Sequence, residues 1–149
     1  MKRAGGFTLI DLLIVLAIVV VLAAIAYPSY AGFVTKTRRI EGQIALIEAV
    51  QQQERFYTRN NTYIGFSSDS SDEQEKRFKW FSGSAAATSA YELSARACAG
   101  RELSQCVEVQ ATPGTAKVNA NFSDADCQTL TLNSAGEKTT SGRSTRCWP

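Results

Sequence analysis

The chain has 149 residues, 44% of them apolar, and 16 basic against 14 acidic side chains leave a net charge of +2. So small an excess gives little long-range field and argues against a strongly basic nucleic-acid binder. Histidine is absent, which removes His-assisted serine or cysteine catalysis and every His-ligated metal site. No enzyme, no cofactor and no metal are therefore expected.

The apolar residues crowd into the start of the chain: 25 of them fall in the first 34 positions. Residues 7–27 read FTLIDLLIVLAIVVVLAAIAY, with only Thr8 and Asp11 polar. As a helix this run is about 31 Å long, the thickness of a bilayer's hydrocarbon core. A core helix so apolar on every side would need a far larger domain around it. A secretory signal is shorter and ends at a small-residue cleavage site, whereas AYPSY follows here. The run is therefore expected to span a membrane.

Lys2 and Arg3 precede the run and Lys36, Arg38 and Arg39 follow it, so charge asymmetry does not set its orientation. The cysteines do more. All four lie after the span, which points to disulfides and to an oxidising compartment for the C-terminal part. A carboxylate at membrane depth costs about 2.5–3.5 kcal/mol. Asp11 thus calls for a cation from elsewhere or for a place near the membrane edge.

Residues 31–59 carry helical periodicity. Ile40, Ile44, Ile47 and Gln51 share a stripe, with Ala45 and Ala49 nearby, and that stripe is expected to face a sheet. Pairs such as Arg55 with Glu48 or Arg38 with Glu41 fit the outer face. One helix of about 80 Å is expected from Phe7 to about Arg59. Pro28 lacks a backbone N–H and should kink it. Asn60-Asn61 ends it with a tolerable left-handed cap.

Residues 60–89 read as the helix-to-sheet loop. Within it KRFKWF interleaves bases and aromatics, which makes Lys76, Arg77, Lys79 and Trp80 weak candidates for holding phosphate or stacking a base. The simpler reading is that Phe78, Trp80 and Phe81 pin the loop to the helix. Residues 90–149 alternate with period two. Tyr91, Leu93, Ala95 and Ala97 give a first strand and Val107, Val109 and Ala111 a second. A turn is expected at Thr112-Pro113-Gly114-Thr115, then strands at Val118–Phe122 and Leu130–Leu132, and a return over residues 137–140. The fold class is α+β: a long N-terminal helix, half membrane-spanning and half amphipathic, on a small antiparallel sheet.

Four cysteines allow three pairings. If the first two strands form a hairpin, Cys98 and Cys106 close its open end on the polar face, where a bridge is geometrically possible. Cys127 and Cys147 would then tie the C-terminal tail to the sheet. No CxxC spacing occurs, so zinc is disfavoured.

The segment MKRAGG followed by FTLIDLL resembles the class III signal of type IV pilins and pseudopilins. The resemblance implies a leader of residues 1–6, cut by prepilin peptidase between Gly6 and Phe7, with methylation of the Phe7 amine. It implies that Asp11, standing where the family has Glu, pairs with that amine on a neighbouring subunit. Two buried charges are tolerable when matched. Tyr27-Pro28-Ser29-Tyr30 is also pilin-like. The stretch EGQIALIEAVQQQERFYTRNNTY, the later CQTLTLNSAGEKTT and the closing Cys147-Trp148 resemble PilE-type minor pilins of type IVa pili. The Cys127–Cys147 pair matches that family's C-terminal disulfide loop, while Cys98–Cys106 has no clear counterpart there.

The implied function is that of a structural subunit, a minor pilin. It would sit in the inner membrane with its C-terminal domain in the periplasm, then pass through an inner-membrane assembly platform into an extracellular fibre with other pilins. Adhesion, twitching motility and DNA uptake are the implied processes. The alternatives are a major pilin, a type II secretion pseudopilin, and a DNA-receptor pilin. The last would gather Lys76, Arg77, Lys79, Arg96, Arg101, Lys138, Arg143 and Arg146 into one basic strip.

Overall fold

The computed structural model describes residues 8–149, without the side chains of Pro28 and Ser29. Gly6 and Phe7 lie outside the described residues. Helix α1 spans Leu9–Asn60, and its helical assignment runs through Pro28. The side chain on which the expected kink rests lies outside the description. The chain divides into two units, Met1–Lys36 and Thr37–Pro149.

In the first unit the apolar side chains of Leu9, Ile10, Leu12 to Leu16, Ile18 to Leu22, Ile25 and Tyr27 are all exposed. Among the described residues this is the one helix long and apolar enough to cross a membrane, with a mean hydropathy of 3.2 over its best 18-residue window. Among the described residues of the unit nothing offsets so much apolar surface in water, whereas lipid tails or neighbouring helices would.

In the second unit α1 ends where the asparagines predict. Asn61 adopts φ +54° and its N–H bonds to the Tyr57 carbonyl, while the Asn60 amide donates to Phe56 O. Strands β1 (Tyr91–Ala97), β2 (Val107–Pro113), β3 (Leu130–Asn133) and β4 (Lys138–Thr140) form an antiparallel sheet in the order β1-β2-β3-β4. Ala97 lies opposite Val107, and Ala111 opposite Leu130. Tyr91, Leu93 and Ala95, with Val107, Val109, Ala111, Leu130 and Leu132, are buried in one core with Ala45, Leu46 and Ala49 of the helix.

The stripe expected to meet the sheet does not. Ile40, Ile44 and Ile47 stay 46%, 52% and 42% exposed. The inward face is instead Gly42, Ala45, Leu46, Ala49 and Gln53, also at helical spacing. Small side chains win because the sheet brings large ones: a Cβ on Gly42 would sit 2.9 Å from the Tyr91 ring. Gln53 is fully buried because its amide closes a two-way bond with Ile64, donating to the carbonyl at 2.6 Å and accepting the N–H at 3.1 Å.

The strand expected at Val118–Phe122 is also absent. Gly114 at φ +62° turns the chain sharply, and a Cβ there would overlap the Phe122 carbonyl. Turn bonds follow, from Val118 N–H to Thr115 O and from Phe122 N–H to Asn119 O, and the Asn119 side chain accepts the Asn121 N–H. Such local bonds compete with a ladder. Val118 and Phe122 still contribute apolar weight, Phe122 meeting the Tyr91 ring edge-on at 5.3 Å. The expected turn therefore starts one to two residues late, since β2 runs to Pro113.

Disulfides join Cys98 to Cys106 and Cys127 to Cys147. Cys106 is buried rather than on an open polar face, because a turn from Glu102 folds over it and Ser134 Oγ lies 3.6 Å from its sulfur.

A polar knot absent from the sequence reading ties helix to C-terminal loop. Asp124, 2% exposed, accepts both arms of Arg39 at 2.8 and 2.7 Å, the Tyr91 hydroxyl at 2.6 Å and the Cys127 N–H at 3.2 Å. Burial pushes the Asp124 carboxyl up, but these bonds outweigh it and hold it below the usual carboxylate range. Burial, with the bond to Asp124, drives the Tyr91 phenol far above its ordinary value. Gln43 adds a bond from its amide to the Cys147 carbonyl.

Candidate nucleic-acid interface

The loop after α1 is pinned by aromatics. Phe78 is buried, stacked on Phe66 at 5.0 Å and edge-on to Phe56 at 6.2 Å. The loop also borders β1 through bridges Phe66 with Ala95 and Phe81 with Glu92, which cover that sheet edge. Two short 3-10 turns, Glu75–Arg77 and Ala86–Thr88, shape the rest.

This pinning leaves a groove of about 430 Å³ between the helix end and the loop. Gln52, Arg55, Phe56, Arg59 and Asn60 line one wall, and Gln74, Arg77 and Phe78 the other. The helical wall follows from spacing, since positions 52, 55, 56, 59 and 60 share one face. The Gln52 amide donates to the Arg77 carbonyl at 3.0 Å and holds the walls together. Arg55, Arg59 and Arg77 are exposed, and among the described residues none of them makes an ion pair. Among the described residues no acidic one lines the groove.

Of the four loop candidates only Arg77 lines the groove. Lys76 reaches Glu73 at 3.5 Å. Lys79 lies over the Phe81 ring at 5.1 Å, in an adjoining recess that contains Glu48. Trp80 is half-buried against Phe81, and its carbonyl accepts the Leu93 N–H. The sequence reading missed Arg55 and Arg59. Among the described residues the expected pair of Arg55 with Glu48 does not form, whereas Arg38 and Glu41 do pair, at 2.9 Å. The signal was there in the i, i+4 spacing of two arginines at a helix end.

Two members of the wider basic strip have partners of their own on separate strands. Arg96 pairs across the ladder with Glu108 at 2.6 Å. Lys138 lies on β4 over Trp148. That strand is three places from β1, about 14 Å away.

At the other end of α1, Asp11 forms a capping box. Its Oδ2 accepts the Thr8 N–H at 3.1 Å and the Thr8 hydroxyl at 2.7 Å, while Thr8 Oγ1 accepts the Asp11 N–H at 3.3 Å. The carboxylate is thereby fixed on its own first turn.

Residues 28–131 match the family model described as type IV minor pilin ComP, DNA uptake sequence receptor, and residues 1–27 match the prokaryotic N-terminal methylation motif. The chain belongs to the type IV minor pilin ComP family. Among curated relatives, the pilin is 36% identical over 67 residues to the type IV major pilin protein PilA of Myxococcus xanthus, covering 45% of this chain and 30% of that one. It is 49% identical over 47 residues to the type IV major alpha-pilin of Moraxella bovis, covering 30% of each. The match thus spans under a third of the length of these relatives. A solved type IV pilin from Shewanella oneidensis is 24% identical, with 77% of this chain and 98% of that one covered and a TM-score of 0.46. The apolar N-terminal helix of this chain fits a membrane-anchored precursor.

Proposed function

We propose that this pilin is a minor subunit of a type IV pilus that captures DNA at the fibre surface. The observation that carries the DNA reading is the groove whose three arginines make no ion pair, and whose lining holds no acid, among the described residues. A near-neutral total charge does not oppose it. Salt screens charge beyond about 8–10 Å, so the local excess decides binding. The ComP family description, DNA uptake sequence receptor, supports the same reading.

Before assembly, prepilin peptidase cuts between Gly6 and Phe7, and the Phe7 amine is methylated. The apolar half of α1 holds the precursor in the inner membrane with the cysteines on the periplasmic side. The assembly platform then moves the subunit into the fibre. There neighbouring helices cover Leu9 to Tyr27 and the exposed isoleucines, and Asp11 meets a Phe7 amine from another copy. The oxygen of Asp11 that Thr8 leaves open is the one available to that cation.

The test is DNA binding by the full chain in detergent micelles at rising salt. Three phosphate contacts give a log–log salt slope of about −2.7, or about 40-fold weaker duplex binding between 50 and 200 mM salt. Arg59→Ala should bring the slope to about −1.8. Binding that is absent, or that Arg55, Arg59 and Arg77 replacements together leave unchanged, refutes the reading.

A further inference from the structure

We infer that the groove takes one unstacked nucleotide of a single DNA strand, its base against Phe56 and its phosphates among Arg55, Arg59 and Arg77. The inference rests on the DNA reading above and narrows it to a class of substrate. At about 430 Å³ the groove has the size of a small-molecule site. A duplex is far too wide to enter it and meets only the arginine rim.

The lining carries more than charge. Phosphate binding alone needs neither an aromatic wall nor side-chain amides. Phe56 is half-buried and lines the groove, and Phe78 behind it is locked in place by Phe66. An aromatic surface of that kind stacks any base, because every base has a π-face. Gln52, Gln74 and Asn60 line the same space. Amides both donate and accept, so they satisfy the polar edge of a base that has lost its partner. Gln52 spends one N–H on the Arg77 carbonyl, which leaves its own carbonyl oxygen to accept. Guanidinium groups supply planar contacts to phosphate oxygens. A base enters most cheaply from a single strand, since a duplex must first unpair and unstack it.

The experiment compares three probes on the full chain in micelles by fluorescence anisotropy at one salt concentration. They are a thymidine strand of roughly twelve nucleotides, the same strand paired with its complement, and a strand of equal length whose central nucleotides lack bases. The thymidine strand should bind about tenfold more tightly than the duplex and about tenfold more tightly than the abasic strand. Phe56→Leu, checked by its melting curve, should narrow the preference for the single strand. Equal or tighter binding of the duplex overturns the inference. So does equal binding of the abasic strand, a comparison that needs no variant. In both cases the DNA reading survives. If no probe binds, both fall together.

Discussion

Replacing Asp124 with asparagine keeps the shape of the side chain and removes its charge. Arg39, whose side chain is 13% exposed, then faces a neutral amide where it had a carboxylate held by two short bonds. Breaking a buried pair by removing one partner costs about 3–5 kcal/mol. Asp126, 3.8 Å from the same guanidinium, offers partial relief, but its side chain is 78% exposed and the long contact is weak. The lower end, about 3 kcal/mol, is therefore expected for Asp124→Asn. At about 3–5 °C per kcal/mol for a folded unit of this size, the melting temperature falls by about 10–15 °C. Near-UV circular dichroism of the full chain in micelles reads this directly.

The pH profile adds a second signature. A carboxyl held below its unfolded value stabilises the fold above that value, about pH 4, and the contribution is lost as pH falls through the folded value. The native protein should lose this increment on acidification below about pH 4, and the variant should lack it. A loss of under about 1 kcal/mol, with an unchanged acid limb, would show that Arg39 and Asp124 do not hold helix and loop together.

Three further outcomes are expected. Ile44→Asp should leave the melting temperature within a few degrees, because the side chain is 52% exposed, yet exclude the protein from sheared filaments; normal recovery would show that this face has no neighbour in the fibre. Replacing Cys127 and Cys147 by serine opens a closure of separation 20 and should cost about 3.3 kcal/mol, against about 2.5 for the separation of 8 between Cys98 and Cys106; denaturant titration in micelles gives the order, and a reversed order refutes it. Asp11→Ala should insert in the membrane normally but fail to appear in fibres, and its incorporation at native level would exclude the pairing with Phe7.

The helix, its end at the asparagines, the two-residue alternation of β1 and β2, and the loop pinned by aromatics were all legible in the sequence. Each depends on local chemistry or on a single period. What was not legible depends on how two periods meet. Isoleucines and a stripe of small residues alternate around the same helix, and hydrophobicity alone favours the isoleucines. The bulk of Tyr91 on the opposing sheet leaves no room for a side chain at Gly42, and Ala45 and Ala49 share that buried inward face. The strand expected near Val118 fails for a related reason, since the positive φ at Gly114 and the side chain of Asn119 settle the chain before alternation can act. The groove was half visible: Arg77 was named, while Arg55 and Arg59 sit on the helix and join it only through tertiary packing.

Between positions 40 and 53 the helix spends both of its sides. Leu46 and Gln53 answer to this subunit's own interior, and Ile44 and Ile47 point away from it. A change on one side unsettles the monomer, and a change on the other unsettles whatever the isoleucines meet. Tolerance for substitution is thus pushed out of the rod and into the serine-rich segment near residues 67–75, whose side chains are mostly solvated. That segment runs into the turn bearing Arg77, so drift there can retune what the tip of the groove accepts without touching how the subunit stands.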